Sequence, residues 1–195
     1  MATANTKRNK DADSNDLYTT SRQSLKLLWD NAPRVLQRAT TVVDNSFGLG
    51  DITRFFQEKG KKVYGYDLHN YGDDYANHLD KVTYGDFLEA EEQTRLDTNH
   101  VMVFNPPFTL TYEFVNKSLK MCDNLFMFNR LNTLESIKRS EKIKSKEWPL
   151  KKVYIFSRRV SCPKGIHYEQ SPNATAYAWF EFEVGYEGEP TICWL

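Results

Sequence analysis

Net charge is the first thing this chain lacks. Its 26 basic residues are matched by 26 acidic ones, so no global field draws it onto a polyanion. Cysteine is scarce as well: Cys122, Cys162 and Cys193 are widely spaced, odd in number and without a Cys-x-x-Cys pair. That pattern excludes a disulfide frame or a zinc site and reads as reduced packing residues of a cytosolic protein. No apolar run approaches the roughly 18–20 residues of a membrane span. The polar start, residues 1–16, lacks the apolar segment of a signal peptide and reads as a disordered arm. The expectation is a cytoplasmic protein with no membrane partner and no metal.

What is present is an ordinary globular composition, 40% hydrophobic and 27% charged. A length of 195 residues suits one sizeable core and not two domains, and residues 17–195 are expected to form it. Charge is balanced overall but not locally. From Lys138 to Lys164 there are ten basic residues against two acidic ones, an excess of 10 − 2 = +8. A solvated helix face explains such a run, and nucleic acid enters only where other residues point to it.

Seven short β-branched or aromatic runs mark strands: Thr41–Asp44, Lys62–Asp67, Val82–Asp86, Val101–Phe104, Leu125–Leu131, Val153–Ser157 and Ala176–Val184. Helical spacing lies between them. Ser21–Asp30 places Leu25, Leu28 and Trp29 on one face, a helix opens near Asp51, and Thr111–Cys122 repeats Tyr112, Val115, Leu119 and Cys122. A charged helix follows over Thr133–Lys146. The alternation predicts an α/β sandwich, a mostly parallel seven-stranded sheet with helices on both faces. The last two strands are joined by a loop with Pro163, Gly165, Pro172 and Asn173 and no helix. They are expected to pair antiparallel, as an edge hairpin.

Chemistry gathers at the strand ends. Asp44-Asn45-Ser46-Phe47-Gly48-Leu49-Gly50-Asp51 follows a strand and precedes a helix. Glycines there admit close approach of a ligand to backbone N–H groups at a helix start. Such turns also bind dinucleotides, and the Gly-Lys-Ser/Thr ending of a phosphate-cradling loop is missing. Asp67, at the next strand tip, can accept both hydroxyls of a ribose. Asp86 can accept the exocyclic amine of an adenine while Phe87 covers the ring. One acid at a strand end is usually a turn former; three in succession on one sheet edge are hard to dismiss. Asn105-Pro106-Pro107-Phe108 is the strongest element. The prolines fix an extended backbone without N–H groups. The side-chain carbonyl of Asn105 and the main-chain carbonyl of Pro106 can then converge on one amino group. Phe108 offers a flat apolar face.

Taken together, Asp44-x-x-x-Gly48-x-Gly50 resembles motif I of class I S-adenosylmethionine-dependent methyltransferases. Asn105-Pro106-Pro107-Phe108 resembles the Asn-Pro-Pro-aromatic motif of the amino-methyltransferases. Phe128–Ser136, Val153–Arg159 and Ala174–Phe180 are similar to segments of phage-encoded adenine-N6 DNA methyltransferases, so the likeness runs from Leu17 to the C-terminus. Tyr18-Thr19-Thr20 is similar to that family's Tyr-Thr-Pro-type segment, with Thr20 where proline is common, and Asn45 departs from the usual Asp/Glu-Pro start.

The resemblance implies a Rossmann-like methyltransferase fold with S-adenosylmethionine as cofactor. It implies that Tyr18, Thr20, Asp44, Phe47, Gly48 and Gly50 line its methionine and ribose path, that Asp67 and Leu68 hold the ribose, that Asp86 and Phe87 hold the adenine, and that Asn105 also touches the cofactor. It further implies double-stranded DNA as partner, with a flipped adenine on Phe108 and its amine on Asn105 and Pro106. Arg130 and the lysines Lys142, Lys144 and Lys146 are the expected DNA contacts. No Pro-Cys nucleophile is present, which speaks against cytosine-C5 chemistry; Cys162-Pro163 has the order reversed. The same amine-holding motif serves RNA adenine and protein glutamine methylation, and a non-catalytic binding protein of this fold is the remaining alternative.

Overall fold

Adjacent residues of the central strands belong to two different apolar clusters. The computed structural model, which describes residues 17–91, 95–163, 165 and 175–195, places Val42, Val101, Val103, Phe126 and Phe128 in one. Val43, Met102, Phe104, Leu125 and Met127 fall in the other. Successive side chains of a strand point to opposite faces, so a sheet apolar at every position must be covered on both sides.

Among the described residues eight strands form one sheet: β1 (Thr41–Asp44), β2 (Lys62–Asp67), β3 (Lys81–Tyr84), β4 (His100–Phe104), β5 (Asn124–Arg130), β6 (Leu150–Ile155), β7 (Tyr177–Glu183) and β8 (Thr191–Trp194). Their order is β3-β2-β1-β4-β5-β7-β6-β8. The first five are mutually parallel, and β7 runs antiparallel between β5 and β6. One face is covered by α1 (Arg22–Asn31), α2 (Arg34–Arg38) and α3 (Asp51–Glu58) through Leu25, Leu28, Leu36, Ile52, Phe55 and Phe56. The other is covered by α5 (Thr111–Met121) through Phe114, Val115 and Met121, with Ile143 of α6 (Ile137–Lys144) at its margin. The short α4 (Asp73–Ala76) lies between β2 and β3. Ser21 caps α1 by accepting from Ser24 N–H at 3.2 Å, and Ser136 caps α6 by accepting from Arg139 N–H at 3.4 Å.

The fold class is the one the sequence predicts, with an eighth strand added. Thr191–Trp194 pairs parallel to β6 and takes the sheet edge, so the predicted edge hairpin is one strand in from the margin. β7 is inserted beside β5, which explains its near-complete burial. The helix predicted over Thr133–Lys146 begins later, at Ile137, after a 3₁₀ turn over Leu131–Leu134. The expected arm, residues 1–16, lies outside the described residues, as do Lys164, Pro172, Asn173 and Ala174. Among the described residues no helix is long and apolar enough to cross a membrane, and no cluster of three His, Cys, Asp or Glu side chains could hold a metal ion.

Candidate functional site

The chain order of the sheet reverses between β1 and β4, which lie side by side. Connections leave such a switch point in opposite directions, opening a crevice beyond the carboxyl ends of the strands. A cleft occupies that place, lined among others by Tyr18, Gly48, Asp67, Asp86, Phe87 and Asn105.

The loop after β1 is held by the acid at the end of β2. Gly48 N–H donates to Asp67 Oδ2 at 2.8 Å and His69 N–H to Asp67 Oδ1 at 2.9 Å. Gly48 has φ +51°, and a Cβ there would meet Leu17 Cδ1 at 2.9 Å, so the loop lies directly under the chain's first described residue. Burial raises the Asp67 pKa above the ordinary carboxylate value, opposed by the His69 and Gly48 hydrogen bonds. Asp86 is exposed at the rim, its Oδ1 accepting from Leu88 N–H at 2.8 Å. Phe87 beside it is buried against Tyr66 and Phe114. Leu68 is 58% exposed at the same rim.

A smaller recess adjoins the cleft between Tyr18, Thr20, Asp44, Phe47, Gly48 and Asn105. Asp44 Oδ1 accepts from Ser46 N–H at 3.1 Å, while Oδ2 is buried without a hydrogen-bond partner. Burial pushes this carboxyl well above the usual range, with the Ser46 bond opposing and the charges of Asp67 and Asp51 adding to the rise.

Asn105 forms the shared wall. Its Nδ2 donates to Tyr18 O at 3.0 Å and Thr20 Oγ1 at 3.1 Å. A carbonyl oxygen only accepts, so the Tyr18 bond fixes which end of the amide is nitrogen. The opposite atom, Oδ1, is buried and has no partner. Ser46 Oγ donates to Asn105 O at 3.1 Å, tying β1 to β4 across the switch point. Phe108, half-buried, has the Arg130 guanidinium 4.2 Å from its ring centre and the Tyr18 ring at 4.5 Å. Arg130 Nε is buried and unpartnered.

No protein-family model matches the chain, and no curated protein matches it by sequence. Solved structures do match in shape. A Pyrococcus horikoshii protein assigned as an RNA methyltransferase superposes with TM-score 0.61 at 15% identity, covering 85% of each chain. The 23S rRNA methyltransferase ErmE gives 0.61 at 17%, over 89% of this chain and 71% of that one. A Listeria monocytogenes protein assigned as a class I S-adenosylmethionine-dependent methyltransferase gives 0.61 at 10%, over 89% and 64%. The chain has the class I methyltransferase fold.

Within this methyltransferase fold the sequence-predicted residues divide. Asp44, Asp67, Asp86, Phe87, Gly48, Tyr18, Thr20 and Asn105 converge on the two recesses, with Leu68 at the rim and Phe47 in the wall. Gly50 stands behind the loop: with φ +77°, its missing Cβ makes room for Tyr75 O and His78. Lys142, Lys144 and Lys146 are not brought there. Helix α6 descends to the opposite sheet edge, where Lys142 pairs with Glu147 and Lys146 Nζ donates to Gly188 O at 2.6 Å; Lys144 is exposed at the helix end. The sequence reading missed Cys162 and Tyr177. Cys162 and Tyr177 are buried in one cluster, and burial pushes the Cys162 thiol up to about 12. Proximity in the chain gives no sign of either, since both come from segments far downstream of Asn105.

Proposed function

We propose that this protein transfers a methyl group from S-adenosylmethionine to the N6 amino group of adenine in DNA. The observation that carries the proposal is the unpartnered, buried Oδ1 of Asn105, a lone acceptor at the wall of the cleft. An uncompensated buried acceptor is costly, and a substrate amino group would satisfy it. Pro106 and Pro107 set the acceptor rigidly beside the half-buried aromatic Phe108, which suits a planar heterocycle carrying that amine.

The residues present fit the cofactor. Asp44 Oδ2, buried and unpartnered, suits the α-ammonium of its methionine part; Asp67 suits the ribose hydroxyls and Asp86 the adenine amine. When bound, S-adenosylmethionine supplies an activated methyl group on a sulfonium. Asn105 Oδ1 and the Pro106 carbonyl would accept the two N–H bonds of the target amine and so aim its lone pair at that methyl. Phe108 would stack on the base, extruded from the duplex at an unstacking cost of a few kcal/mol. Acceleration then comes from positioning and fixed dipoles.

A second reading is adenine in RNA, favoured by the names of two of the structural neighbours. Incubation with tritiated S-adenosylmethionine and, separately, duplex DNA, RNA or protein lysate tests the proposal. N6-methyladenine in DNA is the expected product. Label in RNA alone transfers the assignment to the second reading, and label in no substrate overturns both.

A further inference from the structure

The ten basic residues counted between Lys138 and Lys164 sort by position and by partner. Toward the N-terminal edge of the sheet three of them are paired: Lys142 with Glu147, Lys146 with Glu189, and Lys151 with Glu181 and Glu183. Arg158 and Arg159 are different. They follow β6, which runs antiparallel to β7 and therefore parallel to β5. They thus leave the sheet at the edge that carries Asn105. Both are exposed, and neither has a carboxylate partner among the described residues. Arg159 stands four positions before Pro163, whose carbonyl accepts from Thr19 N–H next to Tyr18, the residue that Asn105 Nδ2 bonds. At most about 14 Å of extended backbone separates Arg159 from Pro163.

Further cations follow β5, which lies between β4 and β7 in the sheet. Arg130 lies over Phe108, and Lys138, exposed in the first turn of α6, holds its Nζ 3.5 Å from the centre of the Tyr112 ring. At the cofactor end the rim is acidic instead, with Asp73, Asp74 and Asp86 exposed. On the target side of the cleft Arg130, Lys138, Arg158 and Arg159 thus outnumber the exposed carboxylates Glu113 and Glu135.

We infer that Arg158 and Arg159, together with Lys138, grip the backbone phosphates of duplex DNA beside the extruded base. This rests on the proposed nucleic-acid substrate. Phosphate contacts of this kind set the register of the duplex without reading its sequence.

Fluorescence anisotropy of a labelled duplex against the full chain at several salt concentrations tests it. The double variant Arg158→Ala/Arg159→Ala is expected to bind more weakly on every sequence. Its slope of log affinity against log salt should fall by about 2, near 0.9 per lost contact. Arg158→Lys/Arg159→Lys should restore the slope, which separates charge from folding, and Lys142→Ala/Lys146→Ala should leave it unchanged. An unaltered slope in the alanine variant, with duplex methylation intact in the wild type, overturns the inference alone. A wild-type chain that binds no nucleic acid overturns both it and the proposed function. A slope change on RNA hairpins but not on duplex DNA overturns the choice of DNA.

Discussion

The two oxygens of Asp44 have different surroundings, and this makes its chemistry testable. Oδ1 is engaged by Ser46 N–H and Oδ2 by nothing. Burial raises the pKa well above the ordinary value, so the folded state holds the proton to higher pH than the unfolded chain does. The stability this proton confers is complete below the unfolded value, about 3.9, and is lost as pH rises toward the raised folded value. Asp44→Asn keeps an oxygen for Ser46 and removes the ionisable group. Thermal melts from acid to alkaline pH are therefore expected to slope downward less in the variant than in the wild type. Calorimetry on the same variant should show S-adenosylmethionine binding weakened by about 1.5–3 kcal/mol, the range of a bond to a charged group. Asn105→Ala should abolish methyl transfer and weaken cofactor binding far less, only as Tyr18 and Thr20 lose their Nδ2 bonds. Turnover above about a tenth of wild type, a loss below about 1.4 kcal/mol, would falsify the amine-holding role. These side chains were legible in the sequence because each sits at the end of an apolar run. Cys162 and Tyr177 were not, because what matters about them is a contact made across the fold.

Among the elements, the turn between β1 and α3 depends most on one residue. Gly50 opens α3 with φ +77°, and a Cβ there would lie 2.9 Å from Tyr75 O and 2.8 Å from His78 Cε1. The left-handed backbone alone costs a non-glycine residue about 1–2 kcal/mol, and the Tyr75 carbonyl belongs to backbone that cannot swing aside. Gly50→Ala is expected to lower unfolding free energy by at least that amount in urea titration, and to weaken cofactor binding through the displaced loop. A variant as stable as wild type would remove the close packing from the account. Strands were the most readable elements, since β1, β2, β4 and β5 are short, apolar at nearly every position and bounded by polar residues. β8 was missed because Thr191–Trp194 is short and half exposed, a pattern that only its pairing with β6 turns into a strand. The start of α6 was misplaced for a local reason. Ser136 offers its hydroxyl to Arg139 N–H, and that cap outweighs the helical spacing upstream of it.

For the molecule as a whole, the cleft is walled by segments from distant parts of the chain. Leu17–Thr20 reaches it from the N-terminal side, the loops after β1, β2 and β3 from one direction, and Asn105 from the other. The N-terminal segment is fastened to the β6–β7 connection by Thr19 N–H donating to Pro163 O at 3.0 Å and Gly165 N–H to Leu17 O at 2.9 Å. It is fastened to α3 by Thr20 N–H donating to Asp51 Oδ2 at 3.1 Å. A ligand that bridges these walls binds the folded state and has no equivalent site in the unfolded chain. Saturation at about a hundred times the dissociation constant then adds about 2.7 kcal/mol of stability. In a domain of this size each kcal/mol moves the melting temperature by about 2–4 °C. S-adenosylmethionine is therefore expected to raise the melting temperature by roughly 5–11 °C at that concentration. Asp67→Ala, which removes the acceptor of both Gly48 and His69 N–H groups, should melt lower without ligand and shift much less with it at the same concentration. Differential scanning calorimetry of both proteins with and without the cofactor measures the two effects separately. An equal shift in both would mean that the ligand does not use the β2 end of the cleft. No shift in either would remove the cofactor from the proposal while leaving the fold untouched, since the fold rests on its two packed sheet faces and not on what the cleft holds.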